Sequence, residues 1–115
     1  MLRRSSLAAL ALALPLLAAS CSQKRDPITI ADGTVSVENQ TSREWRSVIV
    51  TVNDHFRGGT PRLGAGGRLT APLTQFQTAF GQKFSIDRQS VFKVEVTATD
   101  DGGEPVTLQW GNSRR

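Results

Sequence analysis

From Phe92 onward the stretch VFKVEVTAT, residues 91–99, alternates apolar and polar side chains. Phe92, Val94, Val96 and Ala98 fall on one side, and Lys93, Glu95, Thr97 and Thr99 on the other. Successive side chains of a strand point to opposite faces, whereas a helix would wind these apolar positions around its axis. The segment therefore reads as a strand with one buried face. The same period recurs in TVSVEN, with Val35 and Val37 together, and in SVIVTVN, with Val48, Val50 and Val52 together. In VTLQW, Val106, Leu108 and Trp110 share a side. RLTAPL is a weaker strand, because Pro72 restricts it to a sheet edge or a strand end.

The punctuation between these runs fits antiparallel pairing. Asp32-Gly33 predicts a tight turn between ITI and TVSVE, and TDDGGEP, residues 99–105, predicts the connection of the last two strands. RGGTPRLGAGGR, residues 57–68, reads as turn and loop around a short piece at 61–63. Parallel strands would need crossover helices for which the chain has no room. The expected fold class is all-β, a small antiparallel sandwich of about seven strands spanning 28–111. One segment departs from the period. TQFQTAFGQKF spaces Phe76, Phe80 and Phe84 four apart, which is helical spacing, so 75–80 is expected to form a short helical turn or an irregular crossover over one end of the core.

The amino-terminal region has a different character. Arg3 and Arg4 precede an apolar run from Leu7 to Ala19, and small residues lead to Cys21, the single cysteine. A basic start, a short apolar run and a small-residue cut site describe a secretory signal peptide over 1–20. The run is shorter than the roughly 20 residues that a bilayer core demands. LAASC, residues 17–21, resembles the lipobox of bacterial lipoproteins, with Ala18 where the family prefers leucine. That resemblance implies lipidation of Cys21 and attachment to a membrane. Ser22, standing where an aspartate would favour inner-membrane retention, implies the outer membrane facing the periplasm. Residues 21–27 then form a lipidated tether, and 112–115 a flexible basic tail.

After removal of the leader, about 95 residues remain, enough for one domain. The whole chain carries 14 Lys+Arg against 10 Asp+Glu. Two of the basic residues leave with the leader, so the excess that remains is too small to suggest a nucleic-acid partner. With its single cysteine acylated, the domain has no disulfide and depends on apolar packing.

The candidate chemistry is sparse. His55 is the single histidine, and its neighbour Asp54 would point to the other face of a strand. No serine stands in a nucleophile-elbow pattern, one cysteine and one histidine are too few for zinc, and Asp100, Asp101 and Glu104 read as hairpin residues rather than a calcium loop. The expectation is a non-enzymatic protein with no cofactor and no metal. Arg43, Arg46, Arg57, Arg62 and Arg68 crowd one stretch that contains only Glu44 and Asp54 as acids, and offer forks to carboxylates, phosphates or anionic sugars if the fold gathers them. Trp45 suits the core or a rim contact with a partner. Asn39-Gln40-Thr41 matches a glycosylation acceptor but reads as a loop ending a strand.

VSVENQTSREWRSVIVTVN and LGAGGRLTAPL resemble runs in small exported bacterial domains with immunoglobulin-like folds. The resemblance implies an immunoglobulin-like sandwich on a lipoprotein and brings no catalytic residues or ligand. The role expected of such a chain is binding or structural support in the cell envelope, with an envelope protein as partner. Alternatives are an accessory subunit of a transport or secretion complex, or a carrier of a small apolar ligand.

Overall fold

The computed structural model describes residues 25–111. The leader over 1–20, Cys21, most of the tether and the tail at 112–115 lie outside the described residues. Seven strands form two antiparallel sheets: β1 (Ile28–Ala31), β2 (Thr34–Glu38), β3 (Trp45–Val52), β4 (Phe56–Leu63), β5 (Arg68–Pro72), β6 (Lys93–Asp100) and β7 (Pro105–Gly111). The smaller sheet runs β1-β2-β5 and the larger β4-β3-β6-β7. The chain crosses between them after β2, β4 and β5. This is the antiparallel sandwich that the alternation of residues 91–99 calls for.

The buried faces are those the period assigns. Val35 and Val37 from the smaller sheet meet Val48, Val50, Val52, Val94, Val96 and Ala98 from the larger. Each of these valines contributes about 1.5–3 kcal/mol on burial. Two turns form as their residues require. Asp32 and Gly33 take φ of 54° and 72° in the two-residue link that pairs Ala31 with Thr34, the left-handed pair that matches strand twist. At the other hairpin, Asp100 Oδ1 accepts the amides of Gly102 (2.8 Å) and Glu104 (3.0 Å).

The stretch 57–63 corrects the expectation of turn and loop, since it lies in the eight-residue strand β4. Gly58 and Gly59 stand there for reasons of space. A Cβ at Gly58 would come within 3.0 Å of the Phe76 ring, which packs across it, and one at Gly59 would fall on the Val48 carbonyl oxygen. β4 is an edge strand, the position in which Pro61 is tolerated. Opposite Pro61, Ser47 takes φ of 52°, and the β3–β6 register shifts between Arg46 and Ile49. This bulge places Arg46 and Ser47 outward in succession and returns Trp45 to the core beside Leu63.

Trp45 is 2% exposed, so it closes one end of the sandwich and is not a rim contact. Its indole Nε1 has no hydrogen-bond partner among the described residues. A buried unpaired donor costs about 1–3 kcal/mol. Trp45→Phe gives up ring area but removes that penalty. It is expected to change stability by only about 1 kcal/mol, against about 3–5 kcal/mol for Trp45→Ala. Urea unfolding of the two variants side by side checks this, and equal losses would contradict it.

Two buried asparagines fasten the loops at opposite ends. Asn39, fully buried, sends Nδ2 to the carbonyls of Arg43 (2.8 Å), Leu63 (3.0 Å) and Gly64 (3.1 Å). Its Oδ1 accepts from the amide and hydroxyl of Thr41 at 3.0 and 2.6 Å. The glycosylation-like pattern at 39–41 is therefore a clasp, with no side-chain surface for a sugar. At the far end, Asn53 donates to the Ser90 carbonyl (2.9 Å) and accepts from the amides of Phe92 (2.8 Å) and Lys93 (3.3 Å).

Candidate functional site

The five arginines do not form one group. Arg43, Arg46, Arg62 and Arg68 sit toward the end of the sandwich where the chain enters at Arg25. Arg57 stands near the opposite end, beside the β3–β4 turn. Most of the first group is matched by acids. Arg43 pairs with Asp101 (3.1 Å), Arg46 with Glu44 (3.4 Å), and Arg25 and Arg68 share Glu38 at 3.3 and 3.8 Å. Sequence counting missed this because Glu38, Asp101 and Arg25 lie outside residues 43–68 and are brought in by the fold. Gln40 and the two arginines hold the Glu38 carboxyl below its usual range, Gln40 contributing most. The amides of Glu104 and Gly102, with Arg43 nearby, do the same for Asp100. Asp100 is thus engaged with the turn and Asp101 with Arg43. Among the described residues no three His, Cys, Asp or Glu side chains gather as a metal site would require.

The opposite end is different. The long connection after β5 opens with a 3-10 turn, Leu73–Gln75, then forms a small hairpin rather than a helix. Gln77 pairs with Arg57 through backbone bonds of 2.9 and 3.3 Å, and the Phe84 amide donates to the Phe76 carbonyl at 3.0 Å. Phe76 and Phe84 turn into the core, where Phe84 meets Phe56 edge to face at 5.2 Å. Phe80 occupies the tip and is 94% exposed.

That tip is a built turn. The Thr78 amide donates to the Gln82 carbonyl (2.9 Å) and the Gly81 amide to the Thr78 carbonyl (3.0 Å), with Gly81 at φ 87°. The Thr78 hydroxyl accepts the amides of Phe80 (3.3 Å) and Gln82 (3.1 Å). Leaving a phenylalanine in water forgoes about 1.5–3 kcal/mol of burial. Between this tip and the β3–β4 turn lies a cleft of about 620 Å³ lined by His55, Arg57, Gln77, Phe80, Gln82 and Gln89 among others. Ligand sites commonly enclose about 300–1,000 Å³ with an apolar wall and a few polar groups. Asp54, also on the lining, is held by Lys93 at 2.8 Å, a bond that raises the ammonium above its ordinary range. Arg57 has no ion pair among the described residues, so it is the unmatched charge of the cleft. No residue here is arranged as a nucleophile with an adjacent base.

No protein-family model matches this chain, and no curated protein or solved structure is similar to it at a significant level.

Proposed function

We propose that this protein is a lipid-anchored, non-enzymatic binding module of the cell envelope, held by Cys21 and engaging its partner through the cleft beside Phe80. The exposure of Phe80 on a hydrogen-bonded turn carries the reading, because a rigid aromatic side chain is the type of residue that dominates binding energy. The placement of the cleft agrees. The chain enters at Ile28, at the end marked by Glu38 and Arg68, and the cleft opens near the other end. A domain tethered to a bilayer at its base would then present Phe80 away from the lipid. The lipobox-like LAASC stretch supports the anchor, and the three-plus-four strand arrangement supports the immunoglobulin-like resemblance. Accessory-subunit and carrier roles both use the same surface.

Two measurements test the reading. Radiolabelled palmitate is expected to enter the wild-type protein and not Cys21→Ser, and unchanged labelling would rule out the anchor. An Ala79→Cys variant, which puts the thiol on the cleft lining and leaves Phe80 in place, compared in intact envelopes and after purification, is expected to react with maleimide several-fold more slowly in the envelope. Thr97→Cys, on the outer face of β6, sets the baseline. Equal protection at both positions would mean that nothing occupies the cleft.

A further inference from the structure

We infer that the cleft beside Phe80 takes a small amphipathic anion, with an apolar body against the Phe80 ring and a carboxylate on the Arg57 guanidinium. The inference rests on the cleft being a binding site and adds the chemistry of its occupant. Three observations converge on that chemistry.

The first is charge. The one carboxylate on the lining, Asp54, is occupied by Lys93, while Arg57 faces the same space with no acid partner among the described residues. The four other arginines differ in setting, since Arg43, Arg46 and Arg68 each have an acid within 4 Å and Arg62 lies far along β4 from the cleft. A planar guanidinium with free donors matches a carboxylate in bidentate fashion. The second is the apolar wall. Phe80 offers a ring that is almost wholly uncovered, and aromatic or acyl groups gain from stacking on it. The third is order. The backbone at Arg57 is held by its pairing with Gln77, and that at Phe80 by the Thr78 hydroxyl, so the main chain that presents both side chains is set before a ligand arrives. Two other clefts of this end, about 320 Å³ beside Ile86 and Trp110 and about 380 Å³ beside Asn53 and Phe92, are lined without a charged residue and have no such pairing of wall and cation.

The probes are 4-phenylbutyrate and its neutral counterpart 4-phenylbutan-1-ol. Each is titrated calorimetrically into the full acylated chain in zwitterionic nanodiscs, with empty nanodiscs as blank. Wild type is expected to hold the carboxylate about tenfold more tightly than the alcohol, the scale of one charge-assisted hydrogen bond. Arg57→Gln is expected to erase that preference while leaving alcohol binding within about twofold, and Phe80→Ala to weaken both probes about tenfold. Both side chains are exposed, so circular dichroism is expected to show unchanged folding. Equal affinity for the two probes, a preference that survives Arg57→Gln, or no binding of either probe would overturn the inference. If Phe80→Ala weakens both probes but Arg57→Gln weakens neither, the cleft remains a binding site without an anion requirement. Maleimide protection at position 79 decides separately whether the cleft is filled in the envelope.

Discussion

Replacing Asn39 by alanine is expected to remove about 4 kcal/mol of stability, at the upper end of what single substitutions do. The side chain is fully buried and makes five hydrogen bonds, three given by Nδ2 and two received by Oδ1. Truncation leaves several of these partners without a substitute, and each buried unsatisfied group costs about 1–3 kcal/mol. The Leu63 carbonyl is the most exposed to that loss, since its bond to Asn39 lies wholly in the interior. The backbone of Asn39 adds two more ties, to Gly67 (2.9 Å) and from Gly66 (2.8 Å), which hold only while the loop keeps its path. A domain of this size has about 5–15 kcal/mol in all, so the variant is expected to be marginal. Urea unfolding followed by tryptophan fluorescence checks the loss, with the midpoint falling and the slope unchanged. Asn39→Asp preserves shape but replaces the donors by an acceptor facing three carbonyl oxygens, and is expected to cost at least as much. A loss under about 1 kcal/mol in both variants would show that the clasp contributes little.

The second large effect is expected at Gly59, where alanine should cost about 3 kcal/mol, or roughly 15 °C in melting temperature. The added Cβ would overlap the Val48 carbonyl oxygen and lie 3.0 Å from its carbon and 3.2 Å from Ile49 Cα. All three obstacles are backbone of the strand at the middle of the larger sheet, so no rotamer change relieves them. Moving β3 would disturb Val48 and Val50, which are in the core. Gly64→Ala is the control, since nothing lies within 4 Å of its Cβ position and its φ is not positive. It is expected to stay within about 0.5 kcal/mol of wild type. Differential scanning calorimetry of the pair separates the two cases, and similar melting temperatures would refute the close approach of β3 and β4.

The contrast between these glycines shows where the sequence was readable. Wherever a strand is half buried, as at Val94, Val96 and Ala98 or at Val48, Val50 and Val52, alternation announces it. Where a strand lies at an edge and makes room for a ring, the same reading fails. β4 carries Gly58, Gly59 and Pro61, residues depleted from strands, because Phe76 fills the space of a side chain and the edge position tolerates proline. The phenylalanine spacing misled for a related reason. Residues four apart share a helix face, but Phe76 and Phe84 are also symmetric about Phe80, which makes them partners across a hairpin with Phe80 at its tip. The missing signal was turn chemistry, since Thr78 and Gly81 supply the hydroxyl acceptor and the left-handed backbone that close that tip. Of the cleft, Arg57 and Phe80 were visible as residues. Their meeting was not, because it depends on Gln77 pairing with a strand that the composition concealed.

The pairing of Gln77 with β4 has a consequence for self-association. Along the larger sheet, one flank is obstructed at β4, where Gln77 takes the ladder position beside Arg57 and Pro61 withholds an amide farther along the strand. The other flank of that sheet is β7, and two copies joined edge to edge there would share one seam. A pair joined at β7 is symmetric and uses up that flank in both copies, so this seam by itself yields a dimer and not a filament.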